Sequence, residues 1–233
     1  VTGVCLSNVG NKVICFDIDK EKISLLNLGK IPIYEPELKQ KMLSGVQSSN
    51  LSFSCDERMA ITQSDIIFIT VGTPTLDNGN PDLSYIESVS NMIGDNLSSD
   101  KTVVIKSTVP VGTSAKVKSI IEECIRDRNL DFKIDVIFNP EFLKEGKAVR
   151  DFESPDRIVL GYEKEDSLNT LVDLYRPFNL HHDKIVKMDL KSAELTKYAS
   201  NAFLATKISY INEIANVCEK VGANINSVRK GIC

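Results

Sequence analysis

Apolar residues in this chain come mostly in short β-branched runs separated by amphipathic stretches. Runs at 13–16 (VICF), 51–54, 65–71 (DIIFITV), 102–106 (TVVIK), 134–138 (IDVIF) and 157–160 (RIVL) read as strands. Several are apolar nearly throughout rather than alternating, as strands are when both faces of a parallel sheet are covered. Between them, 20–28, 37–44, 83–97, 114–128 and 166–175 carry helical spacing. Strand and helix alternating at this interval predict an α/β domain with a doubly wound parallel sheet.

The rhythm changes near Leu190. Residues 190–221 hold neither Pro nor Gly, and Gly222 is the first breaker. A continuous helix of that length measures ~48 Å at the usual rise. Leu204, Ile208, Ile211, Ala215 and Cys218 fall on one stripe, and Phe203, Ile214 and Val221 widen it. So wide an apolar face calls for a partner surface, either in its own domain or on another subunit. Asn224-Ile225-Asn226 offers a cap for one further short helix ending at Gly231. The chain opens on Val1, as if partway along a helix, and stops just after a helical pattern, so a piece of a longer polypeptide is expected.

Composition removes several classes. With 233 residues, 42% hydrophobic and 26% charged, the chain is neither disordered nor a disulfide scaffold. Its 28 basic and 32 acidic residues are well mixed, so no nucleic-acid or polybasic membrane surface is expected. No apolar run approaches the ~20 residues of a membrane span, and the first residues lack a signal-peptide pattern. The six cysteines are scattered without a C-x-x-C pair, which reads as reduced thiols in a cytoplasmic protein.

Candidate chemistry sits where strands end. Asp17, closing Cys15-Phe16-Asp17-Ile18-Asp19, suits the carboxylate that binds both ribose hydroxyls in a dinucleotide fold, favouring NAD over NADP. Alternatively, Asp17 or Asp19 caps the next helix. Thr73 in Val71-Gly72-Thr73-Pro74 and Thr108 in Lys106-Ser107-Thr108 follow two further strands. Their hydroxyls suit a cofactor or an ordered water, or plain turn chemistry. In Asn139-Pro140-Glu141-Phe142-Leu143-Lys144-Glu145-Gly146, a helix starting after Pro140 would set Glu141 and Glu145 one turn apart. Two carboxylates facing one crevice raise each other's pKa and suit acid–base work; acids favoured by a helix dipole are the plainer reading. On the long helix, Glu194, Lys197 and Asn201 share one side, either aimed at an oxyanion or forming a solvated face with a Glu194–Lys197 pair. His181-His182 reads as a surface turn, and no metal site is expected. Cys233, with no base in view, reads as a bystander thiol.

Taken together, VICFDIDKEKI, IPIYEPEL, FITVGTPT, VIKSTVPVGT, NPEFLKEG, DRIVLG and KSAELTKYASNAFLATKISYINEIANVCEKVGANINSVRKGI closely resemble the UDP-glucose 6-dehydrogenase family, in that family's order. The resemblance implies a Rossmann-like NAD-binding domain over 1–186. The start of a central helical dimerisation domain would follow over 187–233, giving a homodimer or higher homo-oligomer through the 190–221 helix. It implies oxidation of UDP-glucose to UDP-glucuronate by two NAD in succession, through a cysteine thiohemiacetal and thioester. Asp17 would hold the adenosine ribose with Lys22 beside it, and Thr73 and Thr108 would line the NAD site. Thr108 would also position a water. Glu141, Phe142, Leu143, Lys144 and Glu145 would contact the UDP-sugar, with Glu145 near the nicotinamide as the acid/base for hydrolysis. Lys197 would stabilise an oxyanion at C6, and Asn201 would bind substrate or that water.

The family's opening strand, Gly-x-Gly-Tyr-Val-Gly loop, catalytic cysteine and C-terminal UDP-binding domain have no counterpart in these residues. The 233 residues alone are therefore expected to be inactive. UDP-N-acetylmannosamine and GDP-mannose dehydrogenases share several of the strings. A methyltransferase of similar fold and a non-catalytic dimerising remnant are the competing classes. The paired glutamates and the Lys/Asn helix count against the methyltransferase, whose chemistry needs neither.

Overall fold

The computed structural model describes residues 1–180 and 183–232, so His181, His182 and Cys233 lie outside the described residues. Two compact units divide the chain, Val1–Glu194 and Leu195–Cys233.

In the first unit, helix α1 (Thr2–Asn8) leads into β1 (Val13–Phe16), α2 (Lys20–Asn27), α3 (Leu38–Gln47) and β2 (Leu51–Ser54). Helix α4 (Glu57–Thr62), β3 (Ile66–Ile69), α5 (Ser84–Asn96), β4 (Lys101–Ile105), α6 (Thr113–Asp127) and β5 (Ile134–Phe138) follow. Helix α7 (Ala148–Glu153), β6 (Ile158–Tyr162), α8 (Glu165–Tyr175) and β7 (Ile185–Asp189) complete the unit, with the first turn of α9 (Leu190–Val221). All six expected strands and five expected helices are present. Helices α4 and α7 are six residues each, too short to show a period. Strand β7, with exposed Val186 and Lys187, lacks the apolar run that marks the others, and it carries the sheet past residue 186.

Strands β1 and β2 pair in parallel as one two-stranded sheet, and β3-β4-β5-β6-β7 form another. Among the described residues, β1 pairs only with β2 and β3 only with β4. Side chains of both strands nevertheless share one core cluster, with Val13, Cys15, Ile66 and Phe68 packed into it. The sheet departs from all-parallel at one place, where β6 runs against β5 through Phe138 and Gly161. The connection from β5 re-enters the sheet on the side it left, by an irregular loop and the short α7.

Strands β4 and β5 form the buried centre. Val103, Val104, Ile105, Ile137 and Phe138 are each 0% exposed. Alternate residues feed opposite faces: Val103 and Ile105 join one apolar cluster, Val104 the other. Burial of each such side chain contributes about 1.5–3 kcal/mol. The continuous apolar runs of the sequence thus reflect a sheet covered on both faces.

Asp189 ends β7 and caps α9, accepting from the Ser192 amide at 3.0 Å and from its hydroxyl at 2.5 Å. Close contact follows, since a Cβ at Gly161 would lie 2.5 Å from the Ala193 Cβ and 3.2 Å from the Leu190 Cα. In the second unit, α9 ends at Gly222, whose φ of +72° lets the Ala223 amide reach back to the Cys218 carbonyl at 2.9 Å. Asn224 then caps α10 (Ile225–Ile232), as its position in the sequence predicts. Phe203, Leu204, Ile208, Val217 and Val221 are more than half exposed on α9. Among the described residues, no helix is long and apolar enough to cross a membrane, and Cys5, Cys15, Cys55, Cys124 and Cys218 are free thiols.

Candidate active site

Parallel pairing of β3, β4 and β5 puts their exits along one sheet edge, where open α/β sheets hold ligands. The exits of β3 and β4 are bonded to one another. The Thr73 hydroxyl donates to the Thr108 carbonyl at 2.8 Å, and the Ser107 hydroxyl donates to the Val71 carbonyl at 2.6 Å. Thr73 is therefore a brace between two loops, whose hydroxyl oxygen keeps lone pairs for a ligand. Beside it, a Cβ built at Gly72 meets nothing within 4 Å, so the backbone there is open to close approach.

The β4 loop ends at Gly112, whose φ of +97° turns the chain into α6. Its amide donates to Glu194 Oε2 at 2.6 Å, while the Ser114 amide and hydroxyl both donate to Oε1 at 2.7 Å. Glu194 is 0% exposed. It therefore belongs to no solvated face, which corrects the expectation of a Glu194–Lys197 surface pair. A carboxylate suits this place because three donors at a helix start need an acceptor-only partner.

At β1, the carboxylate of Asp17 takes the Lys22 ammonium on Oδ2 and the Asp19 amide on Oδ1, the latter at 3.0 Å. Helix capping falls instead to Asp19, which accepts from the Glu21 and Lys22 amides at 3.0 Å each. Burial pushes the Asp17 pKa upward, but hydrogen bonds from Lys22 and the Asp19 amide outweigh it and leave it below the usual carboxylate range. The ionised, partly exposed group keeps unused lone pairs, which fits a ribose diol. With the open backbone at Gly72, these residues fit a dinucleotide.

The β5 exit holds the largest correction. Residues 139–147 are not helical, so Glu141 and Glu145 do not share a helix face. Instead the segment is anchored at its root. Buried Asn139 donates to the Val159 carbonyl at 3.0 Å and accepts from the Tyr175 hydroxyl at 2.5 Å, with the buried Lys106 ammonium at 3.5 Å. Burial, and secondarily the charge of Glu141, push the Tyr175 phenol upward, so it stays a donor. Phe142 packs on one core cluster and Leu143 on the other, and the Arg157 guanidinium lies 4.2 Å from the Phe142 ring centroid. Glu141, Lys144 and Glu145 are exposed. Side chains able to touch a ligand thus alternate with side chains that nail the loop down.

Lys197 and Asn201 lie on α9 in the second unit, half-buried and exposed respectively. Four residues with evident roles escaped the sequence, Glu35, Lys106, Asn139 and Tyr175, while Glu194 was singled out there but for a different role. Each is polar and buried in the fold, and no periodicity distinguishes such a residue from an exposed one.

Comparison with known proteins fits this geometry. Residues 1–179 match the NAD binding domain of the UDP-glucose/GDP-mannose dehydrogenase family, and residues 191–233 match its central domain. The chain is 45% identical to UDP-glucose 6-dehydrogenase TuaD of Bacillus subtilis over 232 residues, covering all of this chain and 49% of the relative. It is 46% identical over 235 residues to UDP-glucose 6-dehydrogenase of Rhizobium meliloti, covering all of this chain and 53% of that one. The chain thus spans about half the length of the curated relatives it matches. Among solved structures, GDP-mannose dehydrogenase from Pseudomonas aeruginosa superposes with a TM-score of 0.93 at 37% identity, over 100% of this chain and 53% of the other. UDP-glucose dehydrogenase from Pyrobaculum islandicum gives 0.90 at 34%, over 99% and 53%. With a Rossmann-type sheet, a ribose-suited carboxylate and family matches over both units, the chain belongs to the UDP-glucose/GDP-mannose dehydrogenase family, whose cofactor is NAD.

Proposed function

We propose that the polypeptide carrying this chain oxidises the C6 alcohol of UDP-glucose to the carboxylate of UDP-glucuronate. The change removes four electrons, so each sugar needs two NAD as hydride acceptors and one water for the second carboxylate oxygen. A cysteine outside these residues would carry the thiohemiacetal and thioester. Asp17, with Lys22 beside it, would bind the adenosine ribose, and Thr73 and Thr108 would line the rest of the NAD site. Thr108 would also orient the hydrolytic water. The loop from Glu141 to Glu145, with Phe142, Leu143 and Lys144 between, would contact the nucleotide sugar, Glu145 holding and releasing the proton of the water. Lys197 would offset negative charge on the C6 oxygen, and Asn201 would hold substrate or that water.

The observation that carries this reading is the β5 exit: two exposed glutamates on a backbone fixed at both ends, one strand from the braced Thr73–Thr108 exits. Residues 1–186 are assigned to NAD binding and 187–233 to the start of the dimerising domain, with the exposed apolar stripe of α9 supporting a homodimer or larger assembly. Soluble substrate and cofactor support a cytoplasmic location. A second reading, GDP-mannose oxidation, draws on the likeness to the Pseudomonas enzyme. The relatives at 45–46% identity favour UDP-glucose. Expression of the whole open reading frame and counting of NADH decides between them. Two NADH per UDP-glucose are expected, and a preference for GDP-mannose or UDP-N-acetylmannosamine would overturn the substrate assignment. Dimerisation without NAD binding would instead support a non-catalytic role.

A further inference from the structure

Glu35 lies in Ile31-Pro32-Ile33-Tyr34-Glu35-Pro36, far in sequence from any strand exit, yet it is only 8% exposed. Its carboxylate bridges two backbone amides of the β5 exit. Gly146 N–H donates to Oε1 at 2.6 Å and Ala148 N–H to Oε2 at 3.1 Å. The first of these amides belongs to the peptide that joins Glu145 to Gly146. Around it the chain makes a tight turn: the Lys147 amide donates to the Lys144 carbonyl at 3.0 Å, and Gly146, third in the turn, has a φ of +77°. The Lys144 amide in turn donates to Asp151 at 3.0 Å. Glu145 thus stands at the corner of a turn whose following peptide is held by Glu35.

We infer that Glu35 is a positioning residue for the reaction, fixing the backbone that aims Glu145; this rests on the acid–base role proposed for Glu145. A buried carboxylate is a costly way to tie a loop, and a neutral acceptor would suffice for one amide. Two amides converging on its two oxygens require a group with no donor of its own. Glutamine offers a single acceptor and would turn its NH2 towards the other amide. The chain also bears strain to place this group: Glu37, two residues on, is held at a φ of +65°. Such a conformation persists only where the surroundings over-determine it.

The test is a double-mutant cycle in the full-length enzyme with Glu35→Gln, Glu145→Gln and the pair. Glu35→Gln keeps volume and packing, so it should fold, with melting temperature as the check. If Glu35 acts through Glu145, Glu35→Gln lowers kcat with UDP-glucose about 10–100-fold, since ~1 Å of misplacement costs roughly 100-fold. It leaves KM for NAD within about twofold, and it adds almost nothing in the Glu145→Gln background. Losses that multiply independently, a rise in KM for NAD alone, or no loss in Glu35→Gln would each overturn the inference. If Glu145→Gln is itself fully active, the role of Glu145 falls first. A slow Glu35→Gln would then show that Glu35 acts elsewhere, which also sinks the proposal.

Discussion

The exits of β4 and β5 reach the same end by different means. Each contains a glycine at positive φ whose amide donates to a buried glutamate remote in sequence, Gly112 to Glu194 and Gly146 to Glu35. Beyond that they diverge. The β4 exit is bonded sideways to the β3 exit and runs directly into a 15-residue helix. The β5 exit has no helix for nine residues and leaves Glu141, Lys144 and Glu145 exposed. A loop that presents backbone and hydroxyls to a ligand can be fixed along its whole length. A loop that presents charged side chains must be held by its other residues, here its two ends with Phe142 and Leu143, and leave the charged groups open.

Four substitutions bear on that contrast. Glu194→Ala should have the largest effect, because it leaves two amides and a hydroxyl at the start of α6 without their acceptor. Each buried unsatisfied group costs ~1–3 kcal/mol, so a loss of about 3 kcal/mol is expected in urea unfolding, with weaker NAD binding. Equal stability in mutant and parent would show that the β4 exit is not held by Glu194. Asn139→Ala should come next, at ~2–3 kcal/mol, since it strips Tyr175 and the buried Lys106 of an acceptor. Its kinetic signature should appear with the sugar rather than with NAD. Thr73→Val removes one hydrogen bond between the braced exits, worth ~1 kcal/mol, and should raise KM for NAD severalfold while sparing the sugar.

Asp17→Asn tests the smallest term. The Asp17 pKa is lower in the folded state than in the unfolded one, so its contribution to stability is fully present above the unfolded value of ~3.9. That contribution disappears as pH falls through the depressed folded value. Urea midpoints of parent and mutant should therefore differ modestly at pH 6 and converge towards pH 3. A difference that grows on acidification would reverse the assignment.

Much of this architecture is legible in sequence because continuous apolar runs and breaker-free stretches report burial directly. The run 102–106 became β4 with almost every side chain buried, and the absence of Gly and Pro over 190–221 marked the whole of α9. Strand β7 was invisible because exposed Val186 and Lys187 give it no apolar signature. The helix expected after Pro140 failed for another reason. Phe142 and Leu143 pack on separate core clusters, which an extended backbone permits and a helical turn would not. The strand-end positions of Asp17, Thr73 and Thr108 could be read from local motifs. The two glutamate clamps could not, because each joins residues at least 80 apart in the chain.

Helix α1 carries a further consequence through Cys5, which is 0% exposed. Burial, and then the charge of Glu153, raise its thiol to about 11, so the reactive thiolate is scarce in the closed state. Cys218, 4% exposed, is equally enclosed in the second unit. Alkylation of either must therefore wait for its surroundings to open. Mass-spectrometric labelling of the two peptides would then act as a pair of clocks, one per unit. Among the described residues, strand β1, next in sequence after α1, is half-buried at all four positions and pairs with β2. The Cys5 clock should therefore report how often α1 and the β1–β2 pair open, and the Cys218 clock how often its own surroundings do.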